Sequence, residues 1–291
     1  MQLQNKLTSG EFLVLAEMEP PKGVDVSAML DSANKVRGRV DAIVIPEISS
    51  AVMRMSSLGG AVLLQGKGFE TVMQVCCRDR NRLALQADLL AAQALGIANV
   101  MAVTGEDPSH GDHRHIRAVN DVDLIELLEA IQNLQSGRDM AGVELNGAPR
   151  FLVGSSVNSG ASGGALDLEL KELDKKIEAG AEFFVTAPVF DLEAFAGFMK
   201  KVGDRKAKII PTVLLLKSSG MARYIDRHQD NVSIPADLIN RIKKAQDKVR
   251  ECVNIAAELV SALRDTGSCG VNIVPLGWEH KLLDILMGPK A

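Results

Sequence analysis

The sequence predicts an α/β fold, a closed (β/α)8 TIM-type barrel, from three observations. Eight short apolar runs alternate with helical segments along the whole chain, and such alternation is typical of a parallel sheet. The runs are continuous in Val, Ile, Leu and Ala, which is the pattern of strands buried on both faces. Eight units in 291 residues match a closed barrel better than an open sheet. We therefore expect one domain over residues 1–291.

The strands are predicted where an apolar run meets a residue that stops it. Pro20 and Pro21 follow the first run closely and Pro46 ends the second, because proline cannot donate a hydrogen bond to a sheet. No GxGxxG motif follows the first run, which argues against an open dinucleotide-binding sheet. The predicted strands are, in order, residues 12–16, 40–45, 71–76, 99–104, 151–157, 183–186, 209–216 and 270–274.

The helices are predicted from apolar spacing and from residues suited to their ends. Asp25 and Ser50 are expected to cap the first two helices, and Gly96 and Gly180 to follow the third and the fifth. The predicted helices are, in order, residues 24–36, 49–64, 78–95, 121–135, 166–179, 192–202, 219–227, 235–264 and 280–287. The polar or glycine-rich segments 109–119, 136–150 and 158–164 are predicted to be loops.

Composition argues against several classes of partner. A net charge of −4 and a pI near 5.8 give no basic surface for nucleic acid. No apolar run reaches the roughly 20 residues of a bilayer span, and the first six residues lack a signal-peptide core. The four cysteines show no CxxC spacing, so neither a disulfide framework nor a zinc site is expected. We predict a cytoplasmic protein without nucleic-acid or membrane partners.

The barrel prediction gives meaning to the polar residues at the carboxyl ends of the strands, where active sites of this fold lie. Glu17 follows the first strand. A carboxyl group leaving a buried strand has a raised pKa and can act as a general acid. Glu17 and Glu19 could instead be solvated turn residues, but the barrel favours a functional Glu17. The residues expected at the same mouth are Gln74, Thr104, Gly105, Glu106, Asn158 and Lys217.

With these residues in place, the chain resembles the methylenetetrahydrofolate reductase family over nearly its whole length. The order and spacing of several short motifs carry the resemblance. They are Glu17-x-x-Pro20-Pro21, residues 51–58, 77–81 and 104–108, Lys176-x-x-Ala179-Gly180-Ala181, residues 186–191, and Ile210-Pro211. The chain is most similar to the short form of the family, which lacks the regulatory domain found in animals.

The resemblance implies a flavin-dependent barrel that passes a hydride from flavin N5 to the methylene carbon of 5,10-methylenetetrahydrofolate. The substrate ring first opens by protonation of N10, and the family's proton donor corresponds to Glu17. The family's second acid, an Asp after strand four, corresponds to Glu106, and Asp107 could take its role. An ordinary turn would also account for the Gly, Asp and Pro of this segment.

The resemblance implies FAD as the cofactor, with FMN also possible. The implied contacts are Gln74, Thr104, Gly105, Glu106, His110, Asn120, Asp121, Val157, Asn158, Lys175 and Lys176. The two lysines suit the cofactor phosphates, although a solvated helix face is an equally good explanation. The loop with His110, His113 and His115 corresponds to a segment that folds over the flavin. No metal site is predicted there, because neither cysteines nor a helical frame accompany the histidines.

Three positions depart from the family pattern. Ala187 and Met221 stand where the family has folate-contacting glutamines, the first of which also contacts nicotinamide. Gly277 stands where an arginine meets the folate tail. Alanine and methionine cannot make those hydrogen bonds. Glu106, Ala187 and Met221 remain the expected substrate positions. The pterin substrate could differ, and the electron donor stays open between NAD(P)H and a partner subunit.

Two other functions are compatible with the sequence. The chain could be a flavin-free barrel that moves a methyl group from a pterin to a corrinoid or thiol. It could also be a non-catalytic subunit that keeps the fold as an interaction surface. A homo-oligomer or a hetero-complex is expected in each case, because barrels with apolar outer helices often self-associate.

Overall fold

The computed structural model describes residues 2–289 and contains a closed barrel of eight parallel strands in the order β1 to β8. The predicted fold class is confirmed. The barrel closes between β1 and β8, where Leu15 is paired with Asn272. The strands are β1 Leu13–Glu17, β2 Ala42–Ile45, β3 Thr71–Cys76, β4 Asn99–Val103, β5 Leu152–Val157, β6 Phe183–Pro188, β7 Lys208–Leu214 and β8 Gly270–Val274.

The helices pack their apolar faces against the outward-facing residues of the strands, which forms the larger of two hydrophobic clusters. None of the helices within residues 2–289 has the length and apolar character to cross a bilayer. They are α1 Gln2–Ser9, α2 Ser27–Lys35, α3 Ser57–Gln65, α4 Arg82–Ala94, α5 Leu124–Gln135, α6 Gly163–Glu178, α7 Leu192–Val202, α8 Ser219–His228, α9 Ala236–Lys244, α10 Lys248–Leu263 and α11 Leu282–Leu286.

Helix α1 was not expected from the sequence, and it covers the amino-terminal end of the barrel. Its Leu3 and Leu7 are buried and join the cluster that fills the barrel interior. The first N–H groups of α1 donate to the carboxylate of Glu70, the residue before β3. Most residues of this short helix are polar, so its two leucines are the only sequence signal that it packs against the core.

Neither of the two residues predicted to cap α2 and α3 is the N-cap in the structure. Ser50 lies in a short 3₁₀ turn with φ +55°, and α3 begins at Ser57 with the Ser56 hydroxyl accepting from Gly59 N–H. Asp25 binds Ser27 but lies before the N-cap, which is Val26.

The single helix predicted over residues 235–264 is two helices, α9 and α10. The carboxylate of Asp247 caps the second by accepting from Arg250 N–H. Helix α4 begins four residues later than predicted, at Arg82, because Asn81 caps it.

The barrel interior is apolar toward its amino-terminal end and includes polar side chains toward its mouth. The ring of Phe183 lies against Gly154, where a Cβ atom would come within 2.2 Å of the ring. Only glycine fits at this position, and the ring fills the centre of the barrel. Farther along the strands the cavity wall includes the polar side chains of Gln74, Thr212 and Asn272. The fold therefore places a cavity with several polar groups in its wall above an apolar plug.

Candidate active site

A cavity of about 760 Å³ opens among the carboxyl ends of the strands. Ten predicted site residues line it, although they come from distant parts of the chain. They are Glu17, Gln74, Thr104, Gly105, Glu106, Val157, Asn158, Lys176, Ala187 and Met221. The barrel topology is what brings them together, since each lies in a strand, in the loop that follows it, or in the next helix.

Glu17 is the last residue of β1 and is only 9% exposed. Within residues 2–289 no hydrogen bond or ion pair engages its carboxyl group, which borders the cavity. Burial is the largest cause that raises the pKa of Glu17 from 4.5 to about 8. The neighbouring carboxylates of Glu19, Glu106 and Glu279 act in the same direction. Glu17 therefore keeps its proton at neutral pH, as a general acid must.

This raised pKa predicts a specific pH dependence of stability. The folded state binds a proton at Glu17 more tightly than the unfolded chain does. The stabilisation of the folded state by this proton is therefore complete below about pH 4.5 and is lost as pH rises to about 8. We expect the free energy of unfolding of the wild type to fall by about 2–4 kcal/mol between pH 5 and pH 8 from this group. Glu17→Gln should remove that loss and be the more stable protein at pH 8.

Denaturant unfolding at several pH values measures this effect. Glu129→Gln is the matched control, because Glu129 is exposed on α5 and lies outside the cavity wall. An identical pH profile for the wild type and Glu17→Gln would show that Glu17 titrates normally.

The structure separates the two predicted lysines of α6. Lys176 is 8% exposed and lines the cavity, and its Nζ donates to the carbonyl of Ser156 at 2.8 Å. Burial lowers the pKa of Lys176, although Glu169, 3.8 Å away, opposes the shift. Lys175 points outward and pairs with Glu172 at 2.6 Å. Of these two lysines, Lys176 is therefore the one that can present a cation to a ligand in the cavity.

Besides Lys175, three predicted cofactor residues lie outside the cavity wall. His110 is exposed in a short 3₁₀ turn, and Asp121 accepts hydrogen bonds from Arg82. Asn120, with φ +41°, lines a second pocket that shares Thr104, Gly105 and Glu106 with the main cavity. Their contacts with a cofactor stay predictions. No three His, Cys, Asp or Glu side chains of residues 2–289 form a group that could hold a metal ion.

The turn after β4 contains Glu106 and Asp107, the two candidates for the family's second acid, and it places them differently. Asp107 accepts from Ser109 N–H at 2.8 Å and lines the second pocket, outside the main cavity. The Glu106 side chain lines the main cavity and is 55% exposed, 3.8 Å from Arg78. Gly105 has φ +85°, and a Cβ there would lie 2.5 Å from the sulfur of Cys76, so the turn requires glycine. The geometry favours Glu106.

Arg78 has a structural role that the sequence did not reveal. Its side chain is buried and makes two 2.7 Å contacts with the carboxylate of Asp79. It also donates to the carbonyl of Glu106 at 2.9 Å and to that of Ile48 at 3.3 Å. Arg78 thus joins the loops after β2, β3 and β4 at the mouth. Ile48 has φ +48°, an unusual conformation for a β-branched residue, and this hydrogen bond helps to hold it.

Glu47 is a second residue that sequence reasoning missed. It follows Pro46, is 3% exposed and lines the cavity. Its carboxylate accepts from Ser57 N–H at 2.7 Å and pairs with Arg80 at 3.0 Å. Its own N–H donates to Oε1 of Gln74 at 3.3 Å, which leaves the amide N–H groups of Gln74 available to a ligand. An acidic residue two positions beyond the end of a strand was the available signal.

The three positions that depart from the family pattern, residues 187, 221 and 277, have different surroundings in the structure. Ala187 and Met221 border the cavity without offering side-chain hydrogen bonds. Gly277 has φ +79°, and a Cβ there would lie 3.8 Å from Nζ of Lys217. Lys217 donates to the carbonyl of Leu276 and lies 5.4 Å from the ring centre of Trp278. Lys217 therefore places a cation close to Gly277.

A sequence model of the methylenetetrahydrofolate reductase family matches residues 2–288. The chain belongs to this family. Methylenetetrahydrofolate reductase 2 of Schizosaccharomyces pombe is 23% identical over 271 residues, which is 89% of this chain and 41% of that protein. The probable NADH-type methylenetetrahydrofolate reductase of rice is 24% identical over 228 residues, 75% of this chain and 37% of its own length.

The chain thus spans about two fifths of the length of these family members. Among solved structures, a Clostridium thermocellum protein that binds two copies of 5-methyl-5,6,7,8-tetrahydrofolic acid has a similar fold. Its TM-score is 0.67 at 16% identity, with 98% of each chain covered. The likeness supports the barrel architecture over the whole family region.

Proposed function

We propose that the chain reduces 5,10-methylenetetrahydrofolate to 5-methyltetrahydrofolate with a bound flavin, and that Glu17 donates the proton. The observation that carries this proposal is the state of the Glu17 carboxyl group. It is buried on the cavity wall, has no partner within residues 2–289, and has a pKa of about 8. A proton held there at neutral pH is available to a substrate nitrogen.

The cavity suits a flavin in size and in chemistry. Ligand cavities are typically about 300–1,000 Å³ and mostly apolar with a few polar groups, and this one fits that description. Gln74, Thr104, Gly105 and Asn158 provide polar groups or backbone for the ring and ribityl chain, and Lys176 provides a cation for phosphate. The bound flavin would supply the hydride. FAD is our proposal, with FMN as the smaller alternative.

Glu17 and Glu106 have different tasks in this proposal. Glu17 holds a proton at its carboxyl group and delivers it to N10 of the substrate, which opens the five-membered ring. Glu106, on the same wall, is largely exposed, and its carboxylate would stabilise the positive charge that ring opening creates. Glu17, the acid, is thus buried, and Glu106, the stabilising group, is exposed to solvent. Different environments of this kind give two carboxyl groups different roles.

The visible spectrum of the purified chain tests the proposed function. We expect a flavin spectrum, either as purified or after addition of FAD. Bleaching by NADH under anaerobic conditions would identify the donor despite Ala187 and Met221, whereas bleaching only by a reduced viologen dye would indicate an electron-donating partner. A protein that remains colourless with FAD and with FMN would contradict the proposal and favour flavin-free methyl transfer.

The two lysines of α6 offer a matched test of phosphate binding. Lys176→Met should weaken the affinity for FAD by about 10- to 100-fold, because a charge-assisted hydrogen bond in a buried site is lost. Lys175→Met should leave it unchanged, since Lys175 points outward and pairs with Glu172. Fluorescence titrations with FAD and with riboflavin, which has no phosphate, measure both. Equal losses for the two ligands would mean that Lys176 does not contact phosphate.

A further inference from the structure

The amide of Asn272 points to a ligand contact that lies outside the family motifs. Asn272 is the central residue of β8, is 2% exposed and lines the cavity. Its Oδ1 has no hydrogen-bond partner within residues 2–289. Buried polar atoms almost always have a partner, so an unpaired amide oxygen on a cavity wall calls for an explanation.

The neighbouring strands do not satisfy this amide. In the strand register Asn272 lies between Leu15 of β1 and Thr212 of β7. Leu15 has no polar side-chain atom. The hydroxyl of Thr212 donates to the carbonyl of Thr186 at 2.7 Å, so its proton is already used. Because Asn272 lines the cavity, a bound ligand is the remaining candidate for a partner.

We infer that Asn272 is a ligand-binding residue whose carboxamide hydrogen-bonds the polar edge of the heterocycle in this cavity. A carboxamide offers an acceptor oxygen and two donor N–H groups. The complementary edge carries an N–H group beside a C=O group, as the pyrimidinone ring does. A flavin and a pterin both contain that ring, so this inference rests on the proposed function for the identity of the ligand.

The inference also explains how the cavity recognises a polar ring although it lacks two expected amides. Ala187 and Met221 line the wall without hydrogen-bonding groups, while Asn272 supplies an amide from the opposite side of β7. Specificity for a hydrogen-bonding ring would then come from Asn272, a residue inside the barrel. A site built in this way rejects ligands without the matching edge, because the buried amide would stay unpaired.

Asn272→Leu tests the inference, since leucine has a similar size and no hydrogen-bonding group. The unliganded variant should be at least as stable as the wild type, because an unpartnered amide is replaced by apolar atoms. The affinity for one ligand should fall by about 10- to 100-fold. Fluorescence titration measures the affinity for FAD, and calorimetry on the FAD-loaded protein measures the affinity for 5-methyltetrahydrofolate. A loss confined to FAD assigns the contact to the flavin ring, and a loss confined to the folate assigns it to the pterin.

Asn99 is the matched control, because it is also a buried interior amide with an unpartnered Oδ1. It begins β4 at the opposite end of the barrel, and its Nδ2 donates to the carbonyl of Thr71 at 2.9 Å and to Glu70 at 3.2 Å. Asn99→Leu should lower the stability and leave both affinities unchanged.

Wild-type affinities for both ligands in Asn272→Leu would overturn the inference, whether or not the variant is less stable. The wild-type titrations separate this failure from that of the proposed function. A wild type that binds neither FAD nor the folate overturns both, whereas a wild type that binds them and a variant that binds them equally well overturns only the role of Asn272.

Discussion

Glu17→Gln is expected to lower the rate of methylenetetrahydrofolate reduction by about 10²- to 10⁴-fold, the usual contribution of a positioned general acid. Glutamine keeps the size of the side chain and removes the transferable proton. Because no hydrogen bond within residues 2–289 depends on the carboxyl group, the barrel and the cavity should remain intact. The measurement is steady-state reduction of the folate with a dye donor, compared with Glu129→Gln.

The same variant should bind FAD as the wild type does. Loss of activity without loss of flavin separates a proton-donating Glu17 from one that shapes the cofactor site. An active Glu17→Gln protein would remove Glu17 from the chemistry, and the non-catalytic or flavin-free alternatives would then gain weight.

Arg78→Met is expected to have the largest effect on stability, about 3–5 kcal/mol of unfolding free energy. The substitution leaves the carboxylate of Asp79 without its buried partner and frees the carbonyls of Ile48 and Glu106. Since these groups belong to three loops of the cavity mouth, the affinity for FAD should fall together with the stability. Denaturant unfolding and a flavin titration measure the two effects.

Arg82→Met is the matched control for this prediction. Arg82 also pairs with an aspartate, Asp121, but both side chains are well exposed to solvent. Exposed ion pairs contribute little to stability, so its unfolding midpoint should stay close to that of the wild type. Equal effects of the two substitutions would show that the Arg78 contacts do not hold the loops together.

The elements that could be predicted from the sequence are those with an uninterrupted apolar pattern and clear ends. The bounds of β3, β8 and α7 coincide with the predicted ranges 71–76, 270–274 and 192–202. The assembly of Glu17, Gln74 and the turn after β4 around one cavity followed from the barrel topology, because parallel strands bring their carboxyl ends to one mouth. For these residues, the position along a strand was sufficient to predict that they line the cavity.

The remaining features depend on contacts between segments that the sequence does not place together. Arg78 acts through the carbonyls of Ile48 and Glu106, and backbone acceptors leave no trace in residue type. Lys175 and Lys176 are adjacent in sequence, and only the packing of α6 decides which one reaches the cavity. Asn272 could have been noticed as a polar residue inside a buried strand, but its missing partner is visible only in three dimensions.

The central claim is that Glu17 supplies the proton for hydride transfer to the folate. The most direct measurement is anaerobic stopped-flow mixing of the reduced flavoprotein with 5,10-methylenetetrahydrofolate, which isolates the half-reaction that needs the acid. We predict rapid flavin reoxidation in the wild type, a rate that declines as pH rises through about 8, and a rate at least about 100-fold lower in Glu17→Gln. Reoxidation of Glu17→Gln at the wild-type rate, or a wild-type rate independent of pH, would contradict the claim.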